Sequence, residues 1–74
     1  MSQFGRFLKN LRASRGLTLR DVERITEGKI SNAYLCQLEN GKIRKPSALM
    51  LHWLAAAYAI DYAKLVSRHL KERP

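Results

Sequence analysis

Residues 17–41 read LTLRDVERITEGKISNAYLCQLENG, and the fold turns on this stretch. Thr18 and Asp21 stand in a capping-box pattern, where two side chains satisfy free backbone N–H groups at a helix start. Leu17 before that cap and Val22 beyond it form a hydrophobic staple. The pattern returns at Ser31, with Ile30 before it and Leu35 beyond. Asn40-Gly41 is a helix-ending pair, since glycine takes the left-handed backbone freely. The spacing predicts two short helices, over 18–27 and 31–40, joined by a turn at Glu27-Gly28-Lys29. Projected at the helical period, Leu35 and Leu38 share one side of the later helix. Ala33 and Gln37 point the other way, flanked by Cys36 and Asn40.

Working outward, helical spacing persists. Phe4, Phe7, Leu8 and Leu11 form a stripe over a helix at 2–15, which Gly16 stops. A helix over 46–59 starts with Pro46 as its first residue or with Ser47 as its cap. A last helix over 61–70 has Asp61 as cap and Ile60 with Leu65 as staple. No clean alternation marks a strand. The expected architecture is all-α: five helices in one domain spanning residues 1–74.

Composition narrows the function. The 74 residues carry 14 Lys+Arg against 6 Asp+Glu, a formal net charge of +8, with a pI near 10.3. Such a balance points to an acidic polymer, nucleic acid first and an anionic membrane surface second. The apolar run from Ala48 to Ile60 contains His52 and falls short of the about 20 residues that span a bilayer. Basic residues at the N-terminus interleave with apolar ones, so no secretory signal is expected and a cytoplasmic location is. A single cysteine, Cys36, excludes an internal disulfide and a cysteine-based zinc cluster. Cys36, His52 and His69 have no metal-ligand spacing, so no metal is expected. In this reading Cys36 is a plain small residue, His52 a partly buried polar group and His69 a solvated one. Asp21 and Glu23 point apart on their helix, and neither a phosphate-binding loop nor a nucleophile motif is present. Neither enzyme activity nor a cofactor is expected.

The outward face at 31–40 suits DNA. Glutamine and asparagine donate and accept at once, as adenine does in the major groove, and a small apolar side chain can meet a thymine methyl. Amides on exposed helices are common, but here Lys29 precedes the helix and Lys42, Arg44 and Lys45 follow it. Cations at both ends of an amide-bearing helix fit phosphate clamps around a reading element.

These residues carry a resemblance. Leu8-Lys9-x-Leu11-Arg12, Arg15-Gly16-Leu17-Thr18, Ile30-Ser31-x-x-Tyr34-Leu35-x-Gln37-Leu38-Glu39-Asn40-Gly41 and Pro46-Ser47-x-x-x-Leu51-x-x-Leu54-Ala55-x-Ala57 follow in order, then Asp61 with Leu65. From Phe4 to Leu65 the chain resembles the Cro/C1-type (XRE-like) helix-turn-helix family. The resemblance implies a lambda-repressor-like domain whose third helix lies in the DNA major groove. It implies base reading by Asn32, Ala33 and Gln37, and phosphate contacts near Asn40 and Lys42. Ser31, Lys29, Arg44 and Lys45 join that phosphate set. It also implies a structural salt bridge between Arg12 and Glu39. The chain departs from the pattern at the longer turn Glu27–Lys29, at Glu23 in place of a small residue, in the lengthened loop Lys42–Lys45, and at Leu19 in place of a glutamine. Arg20, beside Leu19, is the alternative phosphate ligand there.

The helix over 46–59 is apolar on two sides. Leu51, Leu54, Ala55 and Tyr58 make one stripe, and Leu49, Trp53, Ala56 and Ile60 a second. Either the first and last helices cover both, or a second copy covers one. A two-fold dimer through Leu49, Trp53, Ile60 and Tyr62 is the expected arrangement, with half-sites about 34 Å apart. The function expected is a sequence-specific double-stranded DNA-binding transcriptional regulator, most simply a repressor on a palindromic operator. The alternatives are an antitoxin-type module with a small protein partner and autoregulatory DNA binding, its partner surface on the second stripe or the Ser67–Pro74 tail, or a restriction–modification controller protein. RNA binding fits the charge, but the third helix offers no exposed aromatic platform beyond Tyr34.

Overall fold

The computed structural model describes residues 2–71, which include five helices: α1 (Gln3–Ser14), α2 (Leu19–Ile25), α3 (Asn32–Glu39), α4 (Ala48–Tyr58) and α5 (Tyr62–Leu70). No strand occurs among the described residues. The part of the Ser67–Pro74 tail beyond Lys71 lies outside them.

Each helix starts at a small polar cap. Ser2, Thr18, Ser31 and Ser47 accept the N–H of the residue three ahead at 2.8, 3.0, 3.0 and 3.1 Å, and Asp61 accepts that of Ala63 at 3.1 Å. Such a cap contributes about 1 kcal/mol. At Thr18 the box is reciprocal, with the Thr18 N–H donating to Asp21 Oδ2 at 2.8 Å. That backbone bond, with the Arg24 guanidinium and the Thr18 side chain, holds the Asp21 carboxyl below its ordinary pKa.

Of the two starts left open for α4 one is realised, and the end of α2 differs from the sequence reading. Ser47 caps α4 and Pro46 stands before it, buried, rather than inside the first turn. The second helix ends at Ile25 because Glu27 and Gly28 both take positive φ, 54° and 82°. The Gly28 N–H then closes on the Glu23 carbonyl at 2.8 Å, a Schellman-type ending in which a non-glycine residue occupies the left-handed position.

The core draws on every helix: Phe4, Leu8, Val22, Ile30, Leu35, Leu38, Leu51, Leu54, Ala55, Tyr58 and Leu65. A fully buried leucine contributes about 1.5–3 kcal/mol by leaving water. All of the expected first stripe of α4 is buried. The second stripe divides: Trp53 and Ile60 pack against the core, while Ala56 and Leu49 are exposed, Leu49 at 60%.

The two histidines exchange their expected places. His52 is exposed, edge-on to Trp53 at 5.4 Å, because it projects away from the buried stripe. His69 is half-buried with its ring 4.9 Å from Phe4, because α5 lies against the start of α1.

Where α1 crosses α3 the backbones nearly touch. A Cβ on Gly5 would collide with the Glu39 carbonyl oxygen and stand 2.8 Å from the Glu39 carbonyl carbon and 2.9 Å from the Leu38 carbonyl oxygen. Backbone atoms cannot step aside as a side-chain tip can. Gly5→Ala is expected to destabilise the domain by about 1–3 kcal/mol, although alanine is the better helix former. Urea denaturation checks this, and an unchanged or raised midpoint would rule out the tight crossing.

Candidate nucleic-acid interface

The turn between α2 and α3 sets the direction of α3. Thr26, buried, ties it from within: its hydroxyl donates to the Val22 carbonyl at 2.8 Å and accepts the Ile30 N–H at 3.1 Å. Ile30 is fully buried, and Ser31 then starts α3. The longer turn is therefore a fixed one, with its buried polar groups paired.

On its inner side α3 is anchored by Leu35 and Leu38, both buried, and by Glu39. Glu39 Oε2 accepts from Arg12 Nε at 2.8 Å and Oε1 from Arg12 Nη2 at 3.0 Å. Arg12 Nη1 also donates to the Leu17 carbonyl at 2.9 Å, so one guanidinium joins α1, the α1–α2 turn and α3. The side chains are 14% and 5% exposed. The hydrogen bond to Glu39 outweighs the opposing effect of burial and, with the Glu39 charge adding to it, pushes the Arg12 pKa up. Tyr58 lies buried alongside; burial first and the Glu39 charge second raise its phenol pKa far above the ordinary value.

On its outer side α3 exposes Ala33, Gln37 and Asn40. Cys36 is half-buried, its sulfur 3.5 Å from Asn40 Nδ2. Asn32 stands on the flank toward α2, half-buried, and its Nδ2 donates to Glu23 Oε1 at 2.6 Å. Ser31 is occupied as the cap, its oxygen accepting the Tyr34 N–H.

The cations lie around this helix in different ways. In the loop after α3, Gly41 has φ 82°, and the Lys42 and Ile43 N–H groups both donate to the Gln37 carbonyl, at 2.9 and 3.3 Å. Ile43 packs on the core and Pro46 is buried, while Lys42, Arg44 and Lys45 are exposed. The loop is thus pinned at its apolar residues and displays its basic ones. Lys29 is exposed before α3, its Nζ 6.0 Å from the Trp53 ring centroid. Arg20 is exposed on α2, whereas Leu19 packs against the core. The exposed face of α3 with basic groups at both ends can offer hydrogen bonds to base edges and charge to phosphates.

A family model described as a helix-turn-helix domain matches residues 5–69. The chain belongs to the helix-turn-helix domain family. This is the family that the motif from Leu8 to Leu65 resembles, and it makes the chain a DNA-binding regulator in fold and type. No curated protein and no solved structure gives a match. Among the described residues, no helix is long and apolar enough to cross a membrane, and no three His, Cys, Asp or Glu side chains group to hold a metal ion.

Three features of this helix-turn-helix escaped sequence reasoning. Gly5 carried a signal, since a glycine inside a helical stripe marks close backbone approach. Thr26 carried a weaker one, a threonine able to bond four residues back. The Glu23–Asn32 bond had none, because it depends on the angle between two helices.

The Arg12–Glu39 pair is expected to behave as one unit. Arg12→Met leaves a buried carboxylate unpaired and is expected to cost about 3–5 kcal/mol, whereas Arg12→Met with Glu39→Met costs much less than the two single changes summed. A double-mutant cycle of denaturation free energies measures this, and additive costs would refute it.

Proposed function

We propose that the chain is a sequence-specific double-stranded DNA-binding transcriptional regulator, a repressor that occupies a palindromic operator as a homodimer. The observation that carries this is the outer face of α3, where exposed Ala33 and Gln37 stand between Lys29 and the loop cations Lys42, Arg44 and Lys45. Asn32, Ala33 and Gln37 read bases in the major groove. Lys29, Lys42, Arg44 and Lys45, with Arg20, Ser31 and Asn40, meet the phosphates and set register. The Lys29 ammonium near Trp53 is on a flexible stem and reaches a phosphate by swinging outward.

Gln37→Ala is expected to weaken specific binding by about 1–3 kcal/mol and relax one or two base positions. Lys42→Ala is expected to weaken all duplexes alike and lower the salt slope by about 1. Selection of sites from random duplex DNA, followed by titrations at several salt concentrations, checks both. An unchanged site preference for Gln37→Ala would sink the assignment.

The dimer rests on apolar surface. Leu49 is 60% and Tyr62 41% exposed, and Leu70, on the Tyr62–Val66–Leu70 side of α5, is 49% exposed. A contiguous apolar strip such as Tyr62, Val66 and Leu70 on one side of α5 supports a partner that covers it. A second copy with the same patch does this by two-fold symmetry and places two reading helices about 34 Å apart. A small protein partner on the same strip is the second reading. Sedimentation of the free chain separates them: a dimer that Tyr62→Asp converts to monomer supports the first, and a monomer without the substitution removes it.

A further inference from the structure

Glu23 and Asn32 meet across the angle between α2 and α3. Glu23 Oε1 lies 2.6 Å from Asn32 Nδ2 and 3.4 Å from the main-chain nitrogen of the same residue, and both residues are half-buried. A carboxylate only accepts, whereas an asparagine side chain has an accepting end and a donating end. The Asn32 amide must therefore turn its NH2 toward Glu23, in a bond strengthened by the charge. An asparagine without such a neighbour presents either end.

The second, longer bond says which amide hydrogen is used. One oxygen that takes both the main-chain and side-chain N–H of a residue sits on the backbone side of that side chain. It engages the amide hydrogen nearer Cβ. The opposite edge, Oδ1 beside the second hydrogen, is left for a ligand. An acceptor next to a donor complements the N6 donor and N7 acceptor of adenine in the major groove. Guanine offers two acceptors there, cytosine a donor and thymine an acceptor with a methyl group, so none of these pairs both atoms.

We infer, on the DNA-reading function proposed above, that Glu23 is a positioning residue that fixes Asn32 as a reader of adenine. Glu23 touches no base in this arrangement. It selects the orientation of the side chain that does.

The test is selection from random duplex DNA with the full chain and with Asn32→Ala, Glu23→Met and Glu23→Ala. Asn32→Ala identifies the base position that Asn32 reads, and in the unsubstituted chain that position is adenine. Glu23→Met keeps the length of the side chain and removes the acceptor. The preference for adenine at that position is expected to fall about fivefold or more, with the positions read by Gln37 and the salt dependence unchanged. A purely structural role for Glu23 would weaken all positions together. Thermal denaturation confirms that each variant is folded. Where Met and Ala cost the fold, Glu23→Gln replaces them, since its amide offers Asn32 either end and relaxes the same position in a folded chain. The inference is overturned if the Asn32 position is not adenine, if its preference survives loss of the carboxylate, or if every position weakens alike. An unsubstituted chain that selects no sequence at all is the distinct failure of the DNA-reading function itself.

Discussion

The rest of the structure depends on how closely α1 crosses α3. Gly5 has no side chain, so the two backbones approach until any Cβ would strike the Leu38 and Glu39 carbonyls. Farther along the same pair of helices, Arg12 closes on Glu39 through two hydrogen bonds and on Leu17 through a third. One contact fixes the separation and the other fixes the rotation of α3. With both set, Leu35 and Leu38 enter the core and the opposite face, Ala33 and Gln37, has to emerge. A buried ion pair is weak evidence for stability, since apolar replacements can do as well. Its value here is geometric, because the rotation of α3 decides which of its side chains emerge beside Ala33 and Gln37.

A small domain has little core to spare, and this one places polar groups to keep each short helix in place. α2 and α3 are too short to persist alone. The capping box at Thr18, the cap at Ser31 and the buried Thr26 hydroxyl between them satisfy backbone groups that the short helices leave open. The lengthened turn thereby becomes a rigid connection. The loop after α3 follows the same logic, with Ile43 and Pro46 inside and Lys42, Arg44 and Lys45 outside. The basic groups are thus carried on a backbone that is already held in place.

Much of this was legible in residue order. The cap-and-staple patterns that start α2, α3 and α5 and the glycine stops at Gly16 and Gly41 are local signals, each decided within one or two turns of chain. The buried stripe of α4 was legible because a 3.6-residue period shows which positions coincide in space. The histidines misled for the same reason in reverse. His52 lies in an apolar run, but it projects off the buried stripe; His69 lies in a basic tail, but α5 folds it onto Phe4. A run of residues says how apolar a segment is, and only its neighbours say which side is covered.

By itself the sequence determined five helices, the starts of α2, α3 and α5, the basic surplus and the motif that the helix-turn-helix family shares, because these rest on short-range backbone chemistry and on composition. The tertiary structure alone decided which stripe of α4 stays partly open, why a glycine stands inside α1, and that Glu23 reaches Asn32. Those facts depend on distances between segments remote in the chain. A contact across a helix crossing is a property of two axes and their rotation, and no periodicity along either helix contains it.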